Sequence, residues 1–210
     1  MKKIYLLLIT FVLSGNINAQ TEFGVKAGYN LSNMKWEVSG FDDFKFSSKS
    51  YFYVGGLAEH HLTDKFSIQA ELLYTELGGQ SPAEELTTVV GNEVLVIGTN
   101  ATTFTTSQIQ VPIAAKYYVV PNFSLSAGMN FGFNISSKVE NTFNSDQTPS
   151  GKTDLFKTLN IFPFLGTEYK FNEHFFADAR YHFNFFNAAV QDAPITKIGF
   201  LQAGFGYRFK

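Results

Sequence analysis

The chain has 210 residues, of which 16% are charged and 17% aromatic, with 24 Phe, 10 Tyr and a formal net charge of −2. Soluble domains carry about 25% charged residues, so the surface is under-charged for a cytosolic protein, and the lack of a basic patch argues against nucleic acid, whose phosphates require cations. No cysteine is present, so an exported form would have no disulfide framework.

In chain order, the first segment is "MKKIYLLLITFVLSGNINAQ", with Lys2-Lys3, an apolar run from Ile4 to Leu13, and Ala19 before an expected cut. This is the three-part pattern of a secretory signal peptide, and ten apolar residues are too few to span a bilayer as a helix. We therefore expect a signal peptide over 1–19. A single domain is expected over 20–210, because no Pro/Ser-rich linker divides the rest. No later window offers the roughly 18 consecutive apolar residues of a spanning helix.

What recurs instead is alternation of period two, the mark of strands with two unlike faces. It predicts eight strands: Glu22 to Leu31, Phe52 to Leu62, Phe66 to Leu77, Gln108 to Val119, Phe123 to Ile135, Leu159 to Phe171, Phe175 to Phe186 and Ile198 to Phe209. Three connections are short and rich in turn formers: Thr63-Asp64-Lys65, Val120-Pro121-Asn122 and Asn172-Glu173-His174. Three residues in each keep the apolar face in phase, matching Leu62 with Phe66, Val119 with Phe123 and Phe171 with Phe175. The other four connections, over 32–51, 78–107, 136–158 and 187–197, are long. Short and long alternate, which predicts an up-and-down meander with all short turns at one end.

One face of each strand is apolar and carries no Lys, Arg, Asp or Glu; in the second strand, Phe52 to Leu62, this phase is the least marked. The other face mixes Gly, Ser, Asn and Gln with a few charges. A soluble ligand-binding barrel would turn the apolar face inward, a membrane barrel outward. The mixed face is too poor in charge for a soluble exterior. Tyr and Phe crowd the strand ends with smaller residues between, as in "FSLSAGMNFGF", which suits aromatic girdles at bilayer interfaces. The expectation is an all-β, eight-stranded antiparallel transmembrane barrel in the outer membrane, with both termini periplasmic.

The segments "FGVKAGYNLS", "IQAELLYTELG", "IQVPIAAKYY", "FSLSAGMNFGF" and "GFLQAGFGYRF" resemble successive strands of the PorT-like outer-membrane β-barrel family of Bacteroidetes. The signal ending "NAQ" resembles exports of that group. The resemblance implies a fold and a compartment and carries no catalytic signature; some family members are associated with a gliding-linked secretion system. The closing aromatic strand, with Phe205, Tyr207 and Phe209, resembles the signal by which barrel-assembly machinery recognises its clients.

Candidate functional residues fall in two groups. Lys26, Glu59, Glu71, Lys116, Glu168, Lys170, Asp178, Arg180 and Arg208 all lie on the lumen face in the half nearest the short turns, under an upper lumen of Asn, Gly, Ser, Gln and a few aromatics. With Glu22 included, five acids meet five bases. An eight-stranded barrel is just wide enough for side chains to fill, so an ion-paired plug is favoured over a charged constriction that passes solutes. Three-residue turns set Glu168 opposite Asp178, a like-charge pair that Lys170, Arg180 or a neighbour must bridge.

Trp36, Phe41, Phe44 and Phe46 form the second group, on the first long loop; they suit either an external binding surface or strands packed together above the membrane. The second long loop reads as an extra hairpin about Gly91-Asn92. His60-His61 and His174 give no metal site, since adjacent strand residues point to opposite faces. Asp178, Arg180 and His182 share a face in a row suited to acid-base work, with no nucleophile placed beside it. The function expected is a non-enzymatic barrel with a structural or surface-interaction role, the alternatives being a small-solute channel or a lumenal enzyme. No cofactor is expected. Partners expected are outer-membrane lipid, the barrel-assembly machinery and an extracellular or secretion-system protein, with the barrel itself a monomer.

Overall fold

From Thr21 onward the alternation is realised as extended chain. The computed structural model describes residues 21–37, 40, 42–91, 93–144, 146, 147, 151–191 and 193–209; the expected signal segment and Phe41 lie outside the described residues. The strands among them are β1 (Thr21–Glu37), β2 (Phe44–Lys45), β3 (Lys49–His61), β4 (Phe66–Gln80), β5 (Glu84–Val90), β6 (Glu93–Val120), β7 (Phe123–Phe143), β8 (Asp146–Gln147), β9 (Gly151–Lys152), β10 (Leu159–Lys170), β11 (Phe175–His182) and β12 (Ile195–Phe209). Eight of these close a ring in the order β1, β3, β4, β6, β7, β10, β11, β12, each antiparallel to its neighbours. The seam between first and last strands pairs Phe23 with Phe209, Ala27 with Phe205 and Leu31 with Leu201. The protein is an eight-stranded, antiparallel, up-and-down barrel.

The two faces sort as the alternation predicts. Tyr29 is 69% and Phe205 68% exposed on the outside, while Glu59 and Gln202 are fully buried inside. This inverts the usual order of a protein in water and fits an apolar surround. The second strand keeps the same phase: Phe52, Val54 and Leu62 face out, and Tyr53, Leu57 and Glu59 face in.

Two of the three short turns have the expected register. The Leu62 N–H donates to the Phe66 carbonyl and the Phe171 N–H to that of Phe175, both at 2.9 Å. Thr63 Oγ1 accepts from the Phe66 N–H at 3.0 Å, and Asn172 Oδ1 from those of His174 and Phe175 at 2.8 Å, so side chains replace missing ladder bonds. The third turn departs from expectation. A bulge between Tyr118 and Val120 makes Val120, not Val119, the partner of Phe123, leaving a two-residue turn of Pro121 and Asn122. The bulge absorbs the extra residue, and Val119 and Val120 are both exposed.

The long connections are mostly strand. β6 runs for 28 residues and β7 for 21, far beyond the barrel. β5 and β6 form the expected extra hairpin, with Val90 paired to Glu93 and Gly91 at φ 67°, in the left-handed region that favours glycine; Asn92 lies outside the described residues. β11 is shorter than predicted: it stops at His182, and Phe185 and Phe186 are exposed beyond it. No helix among the described residues is long and apolar enough to cross a membrane.

Candidate functional site

Lumen-facing positions on seven of the eight ring strands bring the predicted charges together near the short turns. They form two groups of two acids and two bases, each of net charge zero. In the first, Lys116 Nζ lies 2.8 Å from Glu59 Oε2 and 3.0 Å from Glu168 Oε2, and Arg208 Nη2 lies 2.6 Å from Glu59 Oε2 and 2.8 Å from Glu168 Oε1. Ser67 Oγ and Tyr118 Oη both donate to Glu59 Oε1 at 2.5 Å. In the second, Lys26 Nζ sits 2.5 Å from Asp178 Oδ2 and 3.5 Å from Glu71 Oε2, and Arg180 pairs with Glu71 and, at 3.2 Å, with Asp178. Gln69 joins the groups, accepting from Lys116 Nζ at 2.9 Å and donating to Glu71. All eight charged side chains are buried.

Glu168 and Asp178 do stand opposite each other. Each turns to its own pair of cations, so no single side chain bridges them. Lys170 takes no part in either group: it lies at the rim, 3.7 Å from Glu22 and over the Tyr118 ring at 4.8 Å. Glu22 also approaches Arg208 Nε at 3.1 Å.

Small residues make room for the rings that fill the space between. A Cβ on Gly204 would strike the Tyr53 phenol, and one on Gly206 the Phe176 ring. The Arg208 guanidinium lies 4.3 Å from the centre of that ring, a cation–π contact. Above the charges runs a ladder of amides: Asn130 donates to Gln110 at 2.9 Å, Gln110 to Gln108 at 3.0 Å, and Gln108 to Asn134 at 2.7 Å. The row Asp178, Arg180, His182 is not assembled as a relay. The His182 ring stacks on Phe200 at 4.0 Å and against Phe164 at 4.9 Å, and its nitrogens bond neither Asp178 nor Arg180.

Beyond the expected amides, the upper lumen holds an apolar cluster that was not expected. Met34, Phe46, Leu77, Phe104, Phe162, Ala188, Ile198 and Phe200 form a buried apolar cluster, with Trp36, Phe44, Val139 and Phe156 packed on it. Three of the four loop aromatics are thereby drawn into a core: Phe46 is buried, and Trp36 and Phe44 are half-buried. Met34 and Phe104 lie past the predicted strand ends yet continue the inward-facing register of β1 and β6, and Leu77, the last residue of the predicted third strand, continues that of β4. Outside this cluster Lys35 bridges Glu37 at 2.7 Å and Asp43 at 2.8 Å, and Lys197 meets Glu37 at 2.9 Å. Hydrogen bonds from Lys35 and Lys197 hold Glu37 below the usual carboxylate range, while Asp43 and Glu37 raise Lys35 above its ordinary value.

At the opposite mouth, Glu22, Glu59 and His61 bring one ligand atom each within 4.8 Å of one another, a grouping that adjacency arguments about His60-His61 did not anticipate. Glu59 is already held by Lys116 and Arg208, and Glu22 by Arg208 and Lys170, so cations neutralise this donor set and it suits a dication poorly. His60 instead bonds Thr21, and His174 stacks on Tyr207. Phe205 and Phe209 face outward on the closing strand, and Tyr207 packs between the rings of Phe175 and Phe209.

A closed barrel with an apolar exterior and a polar, filled interior defines a transmembrane β-barrel of the outer membrane. A family model described as outer membrane protein beta-barrel domain matches residues 18–190, and the chain belongs to that family. Among solved structures, Ail, the attachment invasion locus protein of Yersinia pestis, in complex with the heparin analogue sucrose octasulfate, shares the fold at 16% identity, with 90% of this chain and 99% of that one covered and a TM-score of 0.51. Neisserial surface protein A aligns at 12% identity over 89% and 97% of the two chains, with a TM-score of 0.49. OprG from Pseudomonas aeruginosa aligns at 14% identity over 90% and 96%, with a TM-score of 0.39. No curated protein matches the chain.

Proposed function

We propose that the protein is a plugged outer-membrane barrel that acts through its long-loop end as a structural or surface-interaction protein, and neither as a channel nor as an enzyme. The observation that carries this reading is the filling of the lumen over its height: two neutral charge groups, a ladder of amides, and an apolar cluster under the loops. Water and ions crossing such an interior would have to break buried ion pairs and then an apolar core, both unfavourable. The termini and short turns are periplasmic in this reading, as in outer-membrane barrels generally, and the β5–β6 hairpin stands outside the cell. The strand patterns further support a place in the PorT-like branch of Bacteroidetes, with an extracellular or secretion-system protein as partner.

Planar-bilayer recording with purified protein tests the proposal. No steady open-channel current is expected; a reproducible unitary conductance from the monomer would favour the small-solute channel instead.

A further inference from the structure

A pocket of about 220 Å³ at the long-loop end sits on the apolar cluster and shares Phe46 and Phe104 with it. It opens between two projecting pieces of sheet, the β1–β2 pair and the foot of the β5–β6 hairpin. Trp36, Phe44 and Phe46 contribute from the first, Phe104 from β6, and Glu84 from the start of β5. The Trp36 ring stands at 74° to Phe46, 64° to Phe104 and 35° to Phe44, with centroids 4.9, 5.5 and 6.0 Å apart. Phe46 and Phe104 are buried against Trp36, so the ring surface left at the pocket comes chiefly from the half-buried Trp36 and Phe44.

The charge around this space has one sign. Glu84 is the charged residue of the lining and has no ion pair among the described residues. Trp36 pairs with Phe44 and Lys35 with Lys45; since alternate residues face opposite ways, the two lysines lie on the far side, where Lys35 is held by Glu37 and Asp43.

We propose that this pocket binds the alkylated ammonium group of a small organic cation. Aromatic faces attract cations through the ring quadrupole, and quaternary ammonium groups are the ligands that such aromatic surroundings suit best. Glu84 supplies the counter-charge. A metal ion would find a single carboxylate where it needs several donors, and an anion would be repelled by Glu84. The same ammonium group occurs on phosphocholine headgroups, but their phosphate would be repelled by Glu84, so the free cation binds more tightly. The inference depends neither on the plugged lumen nor on orientation in the membrane.

The test uses the full barrel purified in a maltoside detergent, and Trp36, the chain's single tryptophan, reports directly. Titration with tetramethylammonium chloride should give a saturable change in tryptophan fluorescence, with no such change from sodium chloride at matched ionic strength or from the neutral isostere tert-butanol. Glu84→Gln should weaken the response about tenfold without altering heat-modified gel mobility, and Phe44→Ala should weaken it too. Choline should bind more tightly than phosphocholine. The proposal is overturned if no saturable response occurs up to about 100 mM, far weaker than ordinary recognition; an equal response to tert-butanol, or an unchanged midpoint in Glu84→Gln, would overturn it equally. Tighter binding of phosphocholine would reject the free cation as ligand.

Discussion

Arg180 shows how far single residues could be read before the structure was known. Its place on the lumen face follows from alternation alone, and so does that of the other predicted charges, because a strand's two faces are fixed once one is apolar. Partner choice does not follow. Lys170 and Arg180 share parity on neighbouring strands, yet Arg180 pairs with Glu71 and Asp178 while Lys170 stays at the rim. Which cation reaches which acid depends on distance across the barrel, which sequence spacing does not encode. Substituting Arg180→Met would leave Glu71 and Asp178 to share Lys26 alone. Stripping one member from a buried ion pair costs about 3–5 kcal/mol, so the urea midpoint in micelles, followed by heat-modified gel mobility, should fall clearly, whereas the exposed Lys152→Met should leave it unchanged. Equal midpoints for Arg180→Met and wild type would refute this role.

Strand existence and order were legible because every ring strand repeats one pattern, and antiparallel neighbours joined by three-residue turns inherit each other's phase. Strand ends were not. The period-two signal weakens where both faces of a strand become mixed, so Met34, Trp36 and Phe104 read as loop although they extend the inner faces of β1 and β6, and the third strand was ended at Leu77 although β4 runs to Gln80. The bulge at Tyr118 and Val120 was invisible for a related reason: with Val119 and Val120 both apolar, either could meet Phe123. The closing strand carries its own prediction. Phe209 pairs with Phe23 at the seam and lies outward beside Tyr207, and we propose it as part of the signal to the barrel-assembly machinery. A chain ending at Arg208 should show reduced folded protein in the outer-membrane fraction; wild-type levels of the heat-modifiable band would reject that reading.

For the whole molecule, orientation is the proposal most open to direct test, since the chain has no cysteine to confuse labelling. Thr88→Cys, exposed on the β5–β6 hairpin, should react with an impermeant maleimide on intact cells, and Asp64→Cys, in the turn between β3 and β4, should react only after lysis; the reverse pattern would invert the topology. The lumen charges also bear on how the barrel comes to exist. Lys26 meets Asp178 across 152 residues of sequence, Glu59 meets Arg208 across 149, and Glu71 meets Arg180 across 109. These three pairs form only as the sheet closes; until then Glu59 has Lys116, Glu71 has Lys26 and Asp178 has Arg180, so a half-built sheet in the bilayer would present under-paired charges to lipid, at several kcal/mol for each one left bare. The network therefore favours closure of the β1–β12 seam, because the last step of assembly gives each of these acids its second cation.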